Sequence, residues 1–435
     1  MKKSKDTIFA VATPPGKSAI AVVRISGTKA YKVIKTISKS MPTKTNTSTL
    51  NTIVDNHGEK IDHTITTFFK APKSYTGEDM VELSIHGGKA VLNKLLKVLN
   101  KNKEVRYAEP GEFTKRAFEN NKLDITQVEA VADLVNAETE QQRKQALNQL
   151  EGSDSLKIKE VHEQIEKLLA DIEATIDFSD EELPKNMKKL ILEQIKNIDT
   201  SIERIITENE KSKKIRDGYI VAIVGNTNTG KSSFINNISK RDVAIVTKEP
   251  GTTRDLLESY IDVGGYPIRF YDSAGFRKSK NKIESIGIKK TIQLAENSDV
   301  NLVFIEKYEE KKQYKKIKNK IFVQSKYDIR KKPIKNKEVI KISSKNSHGI
   351  KYLLKKINNK ISQSKTSFNN SISRERHISA LLKSKKHIER AKKSKNYDII
   401  AEDIRLSLRE ISKIYGKTDI EHILGIIFNN FCIGK

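Results

Sequence analysis

The octet Gly225-Asn226-Thr227-Asn228-Thr229-Gly230-Lys231-Ser232 fits the pattern G-x-x-x-x-G-K-[ST] and follows an apolar run, Tyr219–Val224, that reads as a strand. Residues of these types at this spacing bind a nucleoside triphosphate. The glycines let successive backbone N–H groups, those of Thr229 and Gly230 among them, turn inward around phosphate oxygens. The helix that follows presents its N-terminus, with Ser233 in the first turn. Lys231 reaches the outer phosphates, and the Ser232 hydroxyl is a ligand for Mg²⁺.

Four later elements, in this order, point to guanine nucleotides. Gly251-Thr252-Thr253-Arg254-Asp255 supplies a threonine, Thr253, that completes the Mg²⁺ shell when γ-phosphate is present. Asp272-Ser273-Ala274-Gly275 ends the apolar strand Ile268–Tyr271, which sets Asp272 near the metal through water and the Gly275 N–H at γ-phosphate. Ser325-Lys326-Tyr327-Asp328 ends the strand Ile321–Gln324, and Asp328 accepts both the N1–H and the exocyclic amine of guanine, a donor pair adenine lacks. Ser343-Ser344-Lys345, after Val339–Ile342, backs the base with a main-chain N–H.

The hydrolytic machinery looks incomplete. Where switch GTPases carry a water-orienting glutamine after Asp-x-x-Gly, this chain has Phe276, and no arginine finger is evident. Two features could replace them. Asn228 with the segment Val246–Thr252 offers an amide oxygen and backbone carbonyls to a monovalent cation, and Glu284 is a carboxylate close enough in sequence to position water.

These residues need elements to hold them, and the hydropathy pattern divides the 435 residues into four segments. Residues 1–122 mix β-type runs (Ile20–Ile25, Ile65–Phe69, Met80–Ile85) with a helical stretch, Val91–Leu99, and form a small α/β domain. In 123–215 apolar residues recur at three-and-four spacing: Ile125, Val128, Ala132, Val135; Ile158, Val161, Ile165, Leu168, Ile172; and Ile191, Ile195, Ile198, Ile202, Ile205. These are antiparallel amphipathic helices, two of them parted at Pro184. Residues 216–362 form the nucleotide domain on a doubly wound sheet. The helical pattern resumes in 363–435 with Ile378, Leu381, Leu382, Ile400, Ile404, Leu408 and Ile411, so the nucleotide domain is inserted into a helical bundle. The fold class is therefore multidomain, α/β plus all-α.

Composition sets further bounds. A single cysteine, Cys432, excludes internal disulfides and suits a reducing compartment, and no apolar run approaches the roughly 18–20 residues of a membrane span. The cytoplasm is the expected location, with no membrane contact. The balance of 82 Lys+Arg against 55 Asp+Glu gives +27, which draws polyanions such as RNA but equally describes a generally lysine-biased surface.

The chain resembles one family nearly end to end, the tRNA-modification GTPases MnmE, also called TrmE. The resemblance rests on Asp6-Thr7-Ile8, Ala12-Thr13-Pro14-Pro15-Gly16, Arg24-Ile25-Ser26-Gly27, Tyr75-Thr76-Gly77-Glu78-Asp79 and His86-Gly87-Gly88. It continues through Pro110–Phe118, Asn121-Lys122-Leu123-Asp124, the inserted Ras-like P-loop domain and the terminal Phe431-Cys432-Ile433-Gly434-Lys435. It implies a homodimer formed through N-terminal domains that bind a 5-formyl- or 5,10-methylene-tetrahydrofolate. It also implies a partnership with the FAD- and NADH-using protein MnmG. Together such proteins add aminomethyl-type or carboxymethylaminomethyl groups at C5 of the tRNA wobble uridine. By motif position, Arg24, Glu82, Lys122 and Lys435 would contact the folate. Asn228, Thr247, Glu249 and Thr252 would hold K⁺, Ser232 and Thr253 would hold Mg²⁺, and Glu284 would be the catalytic carboxylate.

Two departures from the family stand out. Ser325 occupies the place of an Asn, a shorter hydroxyl for an amide, so Ser325→Asn is expected to tighten nucleotide binding. The segment Glu306–Lys320 is too short for a full apolar helix, which thins one flank of the sheet. Cys432 has three readings: a nucleophile activated by Lys435 or cofactor, a small buried anchor beside the folate, or a lipid site whose ending does not fit. Two functional alternatives also stand, a ribosome-assembly GTPase and a degenerate scaffold that hydrolyses GTP poorly.

Overall fold

A computed structural model of the chain describes residues 6–177, 187–240, 244–245, 258–272, 293–330, 333–362, 372–415 and 434. Its contacts group into two units. One comprises residues 1–132, 155–195 and 386–435, and the other 133–154 and 196–385.

The first unit opens with strands β1 (Thr7–Val11), β2 (Ser18–Ser26), β3 (Ser48–Val54), β4 (Lys60–Phe69), β5 (Met80–Gly87) and β6 (Val105–Tyr107), in the spatial order β3-β4-β5-β2-β1-β6. Only the β1–β6 pair is parallel. Alternating side chains give the sheet two faces. Phe9, Val23, Ile25, Leu83 and Ile85 pack under α1 (Ala30–Thr36) and α2 (Lys89–Lys101) through Val33, Ile34, Leu95 and Leu99. On the opposite side Ile8 and Ala10 pack with Phe113 of α3 (Glu112–Glu119) and with Tyr75. The buried α3 residue Arg116 would be costly alone, but Asp6 (3.0 Å), Glu78 (3.1 Å) and Glu112 (2.9 Å) surround it. This network pins α3 to Asp6, just before β1, and to the loop before β5.

After α4 (Ile125–Val135) come α5 (Glu140–Leu150), α6 (Ser153–Asp177) and α7 (Met187–Asp217). Later come α8 (Lys231–Ser239), α9 (Ile350–Ser362), α10 (Glu375–Lys393) and α11 (Tyr397–Tyr415). The isoleucine stripes of α6 and α7 are buried. Polar contacts give helix directions. Tyr415 Oη donates to the Ser155 carbonyl (3.1 Å), Ser412 meets His162 (3.1 Å) and Arg405 meets Glu173 (2.9 Å), so α6 and α11 run antiparallel. The stripes are not uniformly core, since Val135 and Leu382 are exposed.

The second unit is built on β7 (Tyr219–Gly225), β8 (Ala244–Ile245), β9 (Glu258–Val263), β10 (Tyr266–Asp272), β11 (Val300–Phe304), β12 (Lys320–Gln324) and β13 (Val339–Lys341), in the order β13-β12-β11-β7-β10-β9-β8. The five strands β13, β12, β11, β7 and β10 are parallel, and β9 and β8 add an antiparallel edge. Phe234 and Ile238 of α8, with Leu353 and Ile357 of α9, cover one face. The other face lacks a full helix between β11 and β12, as the segment length predicts. A 3₁₀ turn, Tyr308–Tyr314, stands there, and Tyr314, Ile317 and Ile334 seal Val224, Val303, Phe322 and Val339.

α5 belongs with this unit through amides rather than apolar contacts. Its capping box pairs Thr139 with Gln142. Gln142 Nε2 also donates to the Arg216 carbonyl (3.0 Å) and to Tyr260 Oη (2.7 Å), and Gln145 Nε2 donates to the Ser212 carbonyl (3.0 Å).

Candidate functional site

The phosphate loop turns between the carboxyl end of β7 and the start of α8, the place where open parallel sheets bind ligands. Its two motif glycines are required sterically. A Cβ at Gly225 would come within 2.5 Å of the Phe304 carbonyl, and one at Gly230, where φ is +88°, within 2.5 Å of Ser325 Oγ. Asn228 holds a left-handed backbone (φ 60°) at the exposed loop tip. The Lys231 ammonium is drawn into the loop, donating to the carbonyls of Gly225 (3.0 Å) and Asn226 (2.6 Å). Thr229 is buried, its hydroxyl donating to the Asn226 carbonyl (2.8 Å), while Ser232 and Ser233 are exposed on the first turn of α8.

Ser232 Oγ donates to Asp272 Oδ2 across 3.0 Å, and Asp272 is fully buried at the end of β10. An oxygen pair of this kind, at a phosphate loop, fits a hard cation that keeps several waters. Thr253, Ser273, Ala274 and Gly275 lie outside the described residues, as do Thr247, Glu249, Thr252 and Glu284. Of the expected K⁺ set, only Asn228 is therefore described.

The base-reading segments flank the loop. Ser325 is buried and its hydroxyl donates to the Thr229 carbonyl, while Lys326 Nζ donates to the Asn228 carbonyl (2.7 Å). The short hydroxyl thus still ties this segment to the phosphate loop, because the two backbones approach closely. A hydrogen bond from Ser343 holds the exposed Asp328 carboxyl below the usual carboxylate range, so it stays an acceptor. The Ser344 carbonyl accepts from Asn237 Nδ2 of α8 (2.7 Å), and Lys345 is exposed nearby in sequence. Sequence reasoning missed Asn237 and His348, which fall within no motif, and so missed the stacking of His348 on Tyr327 (4.9 Å, 18°).

In the N-terminal sheet, Arg24 and Glu82 are register partners on β2 and β5 and form an ion pair at 2.8 Å. The guanidinium lies over the rings of Tyr75 (5.4 Å) and Phe113 (5.7 Å). Burial raises the Tyr75 phenol above its usual range, against the opposing Thr114 hydrogen bond and Arg24 charge, so it remains a neutral hydrogen-bonding group. The loop carrying Tyr75 also reaches the Lys122 segment. Asn120 Nδ2 donates to the Thr76 carbonyl (2.8 Å) and Lys122 Nζ to the Pro72 carbonyl (3.2 Å). A planar, polar-edged ligand fits this set of cation, carboxylate and aromatic faces. Tyr75 and Phe113 stand in segments that carry the family resemblance, which was the available signal for them. Cys432 and Lys435 lie outside the described residues. Their neighbour Gly434 packs against β1, where a Cβ would meet the Val11 carbonyl at 2.1 Å.

A phosphate loop on a doubly wound sheet, with helical segments before and after it in sequence and a second, mixed sheet at the N-terminus, defines a multidomain P-loop G-domain protein. A family model described as the MnmE helical domain matches residues 125–432, and one described as the GTP-binding protein TrmE N-terminus matches 7–122. The tRNA modification GTPase MnmE of Pelagibacter ubique (strain HTCC1062) is 42% identical over 443 residues, covering 99% of this chain and 100% of that relative. That of Wolbachia sp. subsp. Brugia malayi (strain TRS) is 36% identical over 448 residues, covering 100% of each. The chain belongs to the MnmE family.

Proposed function

We propose that this protein is a potassium-dependent GTP hydrolase that acts with MnmG to add an aminomethyl-type or carboxymethylaminomethyl group at C5 of the tRNA wobble uridine. The observation that carries the GTPase reading is the Ser232–Asp272 pair at 3.0 Å beside the phosphate loop, within a chain that matches tRNA modification GTPases over their full length. In this reading residues 1–122 are the folate and dimerisation domain, 216–362 the G domain, and 123–215 with 363–435 the helical domain. No helix among the described residues is long and apolar enough to cross a membrane. We place the protein in the cytoplasm, with its tRNA substrate.

Lys231 and the loop N–H groups hold the phosphates, Asp328 selects guanine, and Ser232 with Thr253 binds Mg²⁺, which neutralises charge on the phosphate oxygens when bound. Asn228, Thr247, Glu249 and Thr252 hold K⁺, which supplies the positive charge an arginine finger gives elsewhere. Glu284 positions water, since Phe276 has no polar group. Arg24, Glu82, Lys122 and Lys435 hold the tetrahydrofolate, with Cys432 alongside as a candidate nucleophile. The homodimer reading is supported by the open face of the N-terminal sheet. Leu50 and Ile65 are cross-strand partners there, 73% and 48% exposed, with Ile20 at 58%.

GTP turnover in KCl and NaCl at matched ionic strength tests this. Hydrolysis should be fast in potassium, slow in sodium and reduced by Asn228→Ala. Equal rates in both salts would refute the cation assignment.

A further inference from the structure

Neighbouring parallel strands need a crossover of roughly a dozen residues, ordinarily a helix whose apolar stripe covers the sheet. The crossovers Ile305–Asn319 and Ser325–Glu338 contain no α-helix among the described residues. Tyr314, Ile317 and Ile334 do the covering. The remaining side chains are free of that duty, and they are rich in lysine. From Lys307 to Lys341 there are 14 Lys+Arg and 4 Asp+Glu, so 35 residues carry +10 of the chain's +27.

Three of the four acids here are already engaged. Glu310 accepts from the backbone N–H groups of Glu306 (3.3 Å) and Lys307 (3.1 Å), Glu338 pairs with Lys311 (2.5 Å), and Asp328 is bonded to Ser343. Six of the lysines are not. Lys312, Lys315, Lys316, Lys318, Lys335 and Lys337 are exposed and form no ion pair with a described residue. Six unpaired ammonium groups within 26 residues repel one another, a cost that a polyanion removes. Flat ring surface lies in the same segments, with Tyr308 39% and Tyr327 36% exposed.

We propose that these two lysine-rich crossovers form a docking face for the phosphate backbone of RNA. The inference rests on the tRNA-modification reading, which supplies the RNA. Flexible ammonium groups position a backbone without reading bases, so the face contributes affinity and register rather than sequence choice.

The test uses the full-length GDP-bound protein and an unmodified tRNA transcript, with binding followed by fluorescence anisotropy from low to moderate salt. A variant with Lys312, Lys315, Lys316 and Lys318 changed to Gln is compared with a charge-matched control at Lys383, Lys386, Lys393 and Lys395. The crossover variant should bind on the order of tenfold more weakly, with a log–log salt slope shallower by roughly 3, and the control should change far less. Lys335→Gln with Lys337→Gln should produce about half that slope change. Equal losses in both four-lysine variants, or none, would overturn the proposal. So would a variant that keeps tRNA affinity but loses binding to vesicles of phosphatidylglycerol and phosphatidylcholine. Loss of RNA affinity in the crossover variant, together with a wild-type gene that proves irrelevant to wobble modification, would keep the docking face and reject the modification reading.

Discussion

Ser232 Oγ sits 3.0 Å from Asp272 Oδ2, joining the first turn of α8 to the carboxyl end of β10 across 40 residues of sequence. The hydroxyl that would ligate Mg²⁺ directly is thus already oriented by the carboxylate that would act through water. Asp272→Asn keeps the shape and removes the charge. It should weaken Mg²⁺ activation of GTP hydrolysis by about 10–100-fold, measured as turnover against Mg²⁺ concentration. An unchanged Mg²⁺ dependence would remove Asp272 from the site.

Ser325 offers a second test. Its hydroxyl is a buried donor to the Thr229 carbonyl, and Ser325→Ala should weaken GDP binding by roughly 0.5–1.5 kcal/mol, or about two- to tenfold. The sequence alone suggests that Ser325→Asn tightens binding. A Cβ added at Gly230 would come within 2.5 Å of Ser325 Oγ, so the junction is close and its geometry argues for the opposite outcome. The larger amide should overpack the junction by about 1–3 kcal/mol and lower the melting temperature. Tighter GDP binding by the Asn variant would refute this account of the junction.

Glu284→Ala should lower kcat strongly with little change in GTP affinity, because a water-positioning carboxylate acts in the transition state. Single-turnover rates and nucleotide titration separate the two effects. Full turnover by the Ala variant would exclude Glu284 from the mechanism.

The tail should serve modification and not hydrolysis. Deleting Phe431–Lys435 is expected to abolish wobble-uridine modification and leave GTP turnover nearly intact. Gly434→Ala is a milder probe, since its Cβ would collide with the Val11 carbonyl at a φ of +102°. Retained modification in the deletion variant would make the tail a packing anchor only.

The phosphate loop and its strands were legible because their chemistry is local: glycines at fixed spacing and short apolar runs ending in Asp272 and Ser325. The short flank was legible for the same reason, as a count of residues between two strands. What closes that flank was not, because Tyr314, Ile317 and Ile334 are single side chains in lysine-rich turns. The attachment of α5 was hidden as well. Gln142 and Gln145 dock it through amide hydrogen bonds, and a hydropathy period carries no trace of such contacts. The buried Arg116 is a third example, since only the fold brings Asp6 and Glu78 to it.

The central claim is that GTP hydrolysis by this chain supports wobble-uridine modification. Mass spectrometry of tRNA nucleosides from cells lacking the gene, complemented with wild type or with Lys231→Ala, tests it most directly. The account predicts that the C5 substituent is lost on deletion, restored by the wild type and not restored by the variant whose phosphate-loop lysine is gone. Unchanged wobble-uridine modification in the deletion strain would contradict it.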